Sequence, residues 1–154
     1  MRRGLVVALA IVAIDQAVKA WIVGFFAVRS VDVVRVLPVF NLVMAWNRGV
    51  SFGLFNGGHG TFIFAALAAA IVAALLWWLS RAREASLQVA IGLVIGGAVG
   101  NIVDRLIRGA VVDFLDFHLG GLHWFAFNLA DTAICLGVFF IAIDGLLGEA
   151  SRNR

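Results

Sequence analysis

Four long stretches of apolar residues divide the chain, and two stretches interrupted by polar residues lie between them. The first apolar stretch, about 4–26, carries Asp15, Gln16 and Lys19 inside it. Asp15 and Lys19 are four apart, so a helix brings them to one face. The interruption argues against a cleaved leader and for an uncleaved first span. Residues 61–80 form a clean second stretch with Trp77 and Trp78 near its end, long enough to cross a bilayer. The third, 85–104, contains Gly92, Gly96, Gly97 and Gly100; the spacing of Gly96 and Gly100 permits close helix packing. The fourth covers 127–147.

The two remaining stretches, about 27–60 and 105–126, do not read as spans. In the first, Val31, Val33, Val34, Val36, Val39 and Val43 alternate with Arg35, Asn41 and Pro38, a pattern of short interfacial strands. It ends in a Gly-rich turn, Asn47-Arg48-Gly49-Val50-Ser51-Phe52-Gly53. The pattern therefore predicts an all-α membrane protein: one domain over 1–154, with four transmembrane helices and a small β-rich segment on the outer face.

Composition strengthens that reading. The 154 residues are 63% hydrophobic and 14% charged, and the mean hydropathy is +1.04. A soluble domain is about half apolar and roughly a quarter charged. The net charge of +3 does not indicate a nucleic-acid partner, because the basic residues are scattered and form no basic face. Six of them, Arg2, Arg3, Arg81, Arg83, Arg152 and Arg154, crowd the short termini and the 81–84 turn. That density assigns both termini to the cytoplasm.

Depth bookkeeping adds a site. At 1.5 Å per helical residue, Lys19 stands roughly 22 Å from the cytoplasmic edge and Asn101 roughly 24 Å. Asp131 lies roughly 7 Å inside the outer end of the fourth span. In a hydrocarbon core about 30 Å thick these residues meet in one layer. Asn101 shares a helix face with Asp104, and Asn128 with Asp131. Four of the nine acidic residues, Asp104, Asp113, Asp116 and Asp131, fall between Gly100 and Asp131. Ionisable groups beside apolar spans mark functional sites.

Two carboxylates held close together share a proton, so that one can activate water while the other protonates an amide leaving group. The pattern does not select the pair among those four acids, and some of them can equally be structural partners of Arg105 or Arg108. Other chemistries use less of the cluster. A Ser51–Lys19 nucleophile–base dyad leaves the acids idle. Cys135 has no histidine in its span to activate it and reads as a packing residue. Asp113, Asp116, His118 and His123 match no standard metal spacing, and His59 and His123 read as loop residues. No metal or cofactor is expected. A proton-coupled transporter would need polar residues through the full membrane depth. Here the second span has no charged residue, and Asp144 is the charged exception in the lower halves. A purely structural membrane protein would not concentrate Asp and Asn in this way.

Five motifs in order resemble the bacterial lipoprotein signal peptidases, the signal peptidase II family. They are Asp15-Gln16-x-x-Lys19, Asn47-x-Gly49-x-Ser51-Phe52, Gly100-Asn101-x-x-Asp104-Arg105, Val111-Val112-Asp113-Phe114 and Phe127-Asn128-x-Ala130-Asp131. The second departs from the family pattern, with Val50-Ser51 where two small residues are common. The resemblance spans essentially the whole chain. It implies an aspartic endopeptidase of the bacterial inner membrane. Such an enzyme removes signal peptides from diacylglyceryl-modified prolipoproteins and cuts just before the lipidated cysteine. It implies Asp113 and Asp131 as the catalytic pair. Asp15, Lys19, Asn47, Gly49, Asn101, Asp104, Arg105, Asn128 and Ala130 become the substrate-binding and supporting positions. The implied partners are the prolipoprotein and membrane lipid, the implied active form is a monomer, and the active site is expected at the outer-leaflet boundary. Asp116 is left as a solvated surface group.

Overall fold

A computed structural model describes residues 1–29, 31–49 and 60–152. Val50, Ser51, Phe52, Gly53 and His59 lie outside the described residues. Four helices are long and apolar enough to cross a membrane. They are α1 (Arg2–Ala27), α2 (Gly60–Arg81), α3 (Ala85–Arg108) and α4 (Leu129–Arg152). Strands β1 (Val33–Leu37) and β2 (Phe40–Asn47) separate α1 from α2, and β3 (Val111–Leu119) and β4 (Leu122–His123) separate α3 from α4. The strands form one antiparallel sheet in the order β1-β2-β3-β4.

α3 is the central helix, packed against α1, α2 and α4. Its glycines explain how. A Cβ at Gly96 would lie 2.8 Å from the Ala8 carbonyl of α1, and one at Gly92 would strike the Gly4 backbone. One turn on from Gly96, a Cβ at Gly100 would lie 2.7 Å from Asp15 Oδ2. Gly92, Gly96 and Gly100 thus make one small-residue stripe that seats α1. Gly97 points elsewhere and receives the Ala130 backbone of α4. Small residues let backbones approach where burial alone gives no driving force, as in lipid. The apolar side chains left on the outside, such as Val6, Leu9, Phe62 and Leu67, suit a bilayer rather than water.

α3 runs four residues beyond the expected 85–104 and ends on Gly109, whose φ of 72° makes it a left-handed C-cap. Arg105 and Arg108 are therefore helical, not part of the irregular segment. An ion pair of Asp104 with Arg108, four residues on, accounts for the extension. α4 starts two residues later than expected. Phe127 is held to β3 instead, exchanging hydrogen bonds with Leu115 of 2.9 and 3.1 Å.

A second core joins the sheet to the bundle. Ile22 and Phe26 of α1 pack on Val112 and Phe114 of β3. The alternation that buries Val112 and Phe114 turns Asp113 to the opposite side of the strand. The expected interfacial strands of the 27–60 stretch are β1 and β2. The 105–126 stretch supplies their partner, which its composition did not announce as a strand.

Candidate active site

The site forms where α1, α3 and the start of α4 meet β2 and β3. Lys19 is fully buried, and its three N–H donors have three partners. Nζ lies 2.9 Å from Asp15 Oδ2 and 2.8 Å from Asp104 Oδ2, and donates to Asn101 Oδ1 at 3.0 Å. An ammonium has no further donor to give. The Lys19 required by a Ser51–Lys19 dyad is thus already committed.

Asp104 is equally committed. It accepts from Lys19, from Gln16 Nε2 at 3.1 Å, from the Val112 N–H at 3.2 Å and from Arg108. Four donors fill a carboxylate. Of the two arginines open to it, Asp104 pairs with Arg108. Through Val112 it also fixes the start of β3, one residue before Asp113. Asp15 accepts from Lys19, from Gln16 and from the Ala130 N–H at 3.0 Å. A carboxylate of α1 therefore satisfies a donor in the first turn of α4, which would otherwise be unpaired. Ala130 is fully buried there.

Asn128 caps α4. Its Oδ1 accepts the Asp131 N–H at 3.0 Å, and Asp131 Oδ2 accepts the Asn128 N–H at 3.3 Å. This reciprocal pair is a capping box with Asp in place of the usual Glu. The remaining half of the Asn128 amide donates to Asp113 Oδ1 at 2.7 Å. Asn128 thus touches both Asp113 and Asp131. The other oxygen of each acid is held from elsewhere: Asn47 Nδ2 donates to Asp113 Oδ2 at 3.0 Å, and Asn101 Nδ2 donates to Asp131 Oδ1 at 2.8 Å. Because Lys19 occupies Asn101 Oδ1, the amide of Asn101 is oriented with its NH₂ toward Asp131.

Strand register explains Asn47. Ala45 pairs with Asp113 and Asn47 with Val111, so Asn47 is the diagonal neighbour of Asp113. Its Oδ1 accepts the Gly49 N–H at 3.0 Å. Gly49 has φ of 101°, and a Cβ there would come within 2.5 Å of the Phe64 ring. Both the turn and the packing against α2 require glycine.

Among the described residues, Asp113 and Asp131 each receive two protein donors, against three for Asp15 and four for Asp104. The described residues leave roughly half the acceptor capacity of those two acids unused. Asp113 is 3% exposed, and Asp131 is half-buried. Burial raises the Asp113 pKa above the usual carboxylate range. The Asn47 and Asn128 hydrogen bonds oppose the shift, the Asp131 charge adds to it and the Lys19 charge opposes it. Asp131 stands in the first turn of α4, where the helix dipole favours negative charge. Arg105 hydrogen-bonds the Asn101 carbonyl at 3.2 Å, and its charge acts on Asp131 and Asp113.

Two residues outside the expected set matter. Gln16 binds Asp15, Asp104 and the Gly100 carbonyl and accepts from Arg108 at 3.0 Å, which stitches α1 to α3. Its place beside Asp15 in an apolar run was the available signal. Asp116 is not a solvated surface group: it is 5% exposed. It accepts from Asn41 Nδ2 at 2.9 Å and lies 2.9 Å from His123 Nδ1. Burial opposes its charge, but those hydrogen bonds and the nearby imidazoles outweigh burial and hold its pKa below the usual range. His123 accordingly belongs to β4 and to this pair, not to a loop. Cys135 is exposed on α4, so it is not a packing residue.

Comparison with known proteins agrees with this architecture. Residues 7–147 match the family described as signal peptidase (SPase) II. A lipoprotein signal peptidase of Rhodopseudomonas palustris is 40% identical, over 96% of this chain and 94% of its own. One of Methylorubrum extorquens is 43% identical, over 94% and 86% respectively. A solved bacterial membrane enzyme structure superposes with a TM-score of 0.79 at 29% identity, covering 100% of this chain and 93% of that one.

Proposed function

Because the chain belongs to the signal peptidase II family of aspartic peptidases, and is a multi-pass bacterial membrane protein, we propose that it hydrolyses diacylglyceryl-modified prolipoproteins just before the lipidated cysteine, with Asp113 and Asp131 as the reacting pair. The observation that carries this reading is the unequal use of the carboxylates. Among the described residues, Asp104 is saturated and Asp15 nearly so, whereas Asp113 and Asp131, joined through Asn128, keep acceptor positions for water and substrate.

The pair shares one proton. Asp113, whose buried carboxyl has the raised pKa, carries it, and Asp131 serves as the base. Asp131 takes a proton from a water as that water's oxygen bonds to the scissile carbonyl carbon. The tetrahedral intermediate then collapses. Asp113 gives its proton to the departing nitrogen, and the C–N bond breaks. The proton left on Asp131 passes to Asp113, which restores the starting state. Asn47, Asn101 and Asn128 keep the carboxylates in register. Asp15, Lys19, Asp104 and Ala130 hold α1, α3 and α4 together beneath them, and Gly49 shapes the turn that presents Asn47. Arg105 supplies positive charge beside the pair, and its planar fork suits a carbonyl or carboxylate of the substrate.

Both termini are cytoplasmic in this reading, and the pair lies at the outer-leaflet boundary. A substrate helix anchored by its lipid brings its cleavage point to the same layer. The single domain of 1–154 acts as a monomer. The purified protein in bilayer nanodiscs, given a diacylglyceryl-modified prolipoprotein and its unmodified counterpart, is expected to cut only the former. Mass spectrometry should place the new amino terminus on the modified cysteine. Equal cleavage of both substrates, or a cut elsewhere, would contradict this function.

A further inference from the structure

The sheet carries a second groove, away from the aspartate pair. Its polar half is a cavity of about 450 Å³ lined by Arg35, Asn41, His118 and His123, with Leu37 and Pro38 at one side. Its apolar half, about 410 Å³, is lined by Val39, Phe117, Leu119, Leu122 and Trp124. His118 and His123 belong to both halves. Their rings stack at 4.9 Å and form the divide between the two.

Asn41 makes the polar half a built site. It is 5% exposed, its NH₂ is fixed on Asp116, and its Oδ1 has no hydrogen-bond partner among the described residues. A buried acceptor left in that state is costly, so the cavity favours a molecule that brings an O–H or N–H donor. Arg35 is the one formally charged side chain among the residues named as lining this half. Asp116 is engaged by Asn41 and His123, while Arg35 has no ion-pair partner among the described residues. The four spanning helices hold this sheet at one membrane surface, at the depth of phospholipid headgroups.

We propose that this groove binds an anionic phospholipid whose headgroup carries hydroxyls. The phosphate lies against Arg35 and the imidazoles, a headgroup hydroxyl donates to Asn41 Oδ1, and the first part of the acyl chains covers Leu119, Leu122 and Trp124. The site is independent of the peptidase reaction, since no residue of the aspartate site lines it.

The test offers the purified full-length protein equimolar phosphatidylglycerol, phosphatidylcholine and diacylglycerol with matched acyl chains, and reads retained lipid by native mass spectrometry. Phosphatidylcholine keeps the phosphate but has no donor for Asn41. Diacylglycerol has a hydroxyl but no phosphate. Phosphatidylglycerol should be retained at least about tenfold over either. The Arg35→Gln/His118→Gln double variant should lose that preference, with helical content and prolipoprotein cleavage unchanged. Equal retention of the three lipids, or an undiminished preference in the variant, would overturn the proposal. Displacement of the lipid by inorganic phosphate at matched concentration would overturn it too, by showing a bare phosphate site.

Discussion

Asn128 and Asp131 cap one another: the Asn128 side chain accepts the Asp131 N–H at 3.0 Å, and the Asp131 carboxylate accepts the Asn128 N–H at 3.3 Å. The capping box that starts α4 therefore also sets the position of Asp131, one of the two proposed reacting groups. The same asparagine reaches Asp113 at 2.7 Å, so helix initiation, strand and chemistry are coupled through one side chain.

The buried Lys19 can be tested by a double-mutant cycle. Lys19→Met removes the cation shared by Asp15 and Asp104, and an uncompensated buried charge costs about 3–5 kcal/mol. Asp104 keeps Arg108, so the exposed liability is Asp15. The Asp15→Asn/Lys19→Met pair should therefore be less destabilised than the sum of the single variants, by about 1 kcal/mol or more. Thermal unfolding in detergent measures it. Strict additivity would show that the two side chains do not depend on each other.

The pH profile reports on Asp113. Its folded pKa is raised by burial, with the Asn47 hydrogen bond working in the opposite direction. In the proposed mechanism the alkaline limb of kcat/KM follows loss of the pair's proton, which Asp113 carries. Asn47→Ala removes a stabiliser of the carboxylate, raises that value further and moves the alkaline limb to higher pH. A shift to lower pH would mean that Asn47 does not stabilise the charged form.

Close packing of α3 on α4 positions Asp131. Gly97→Ala places a methyl against the Ala130 carbonyl, an overpacking that costs about 1–3 kcal/mol. The start of α4 must move with it, so cleavage should fall more than about tenfold even where the protein remains folded. Gly145→Ala, on α4 with open space around the new Cβ, should leave activity unchanged and stability within about 1 kcal/mol. Equal effects of the two substitutions would remove close packing as the cause.

Much of this was legible in the sequence because membrane spans are written in long apolar runs. Asp15, Lys19, Asn101, Asp104, Asn128 and Asp131 stood out as polar residues within or beside such runs, and helical rise was enough to bring them to one layer. The partners were less legible. Asp104 could be matched to Arg105 or Arg108 only once α3 was seen to continue past residue 104. Gln16 carries no charge, so its four contacts left little signal. Asp116 reads as a solvated surface group because the composition of 105–126 does not announce β3 as a strand, and its partner Asn41 lies 75 positions away. Local pattern cannot reveal a strand pairing at that separation.

The central claim is that Asp113 and Asp131 together activate water. The most direct measurement is the rate at which Asp113→Asn and Asp131→Asn, each purified and inserted in nanodiscs, cleave a diacylglyceryl-modified prolipoprotein. Each change keeps size and shape and removes an ionisable oxygen, so each rate should fall by about 10²–10⁴-fold or more while thermal unfolding stays close to the parent's. Near-parental cleavage by either well-folded variant would contradict the account.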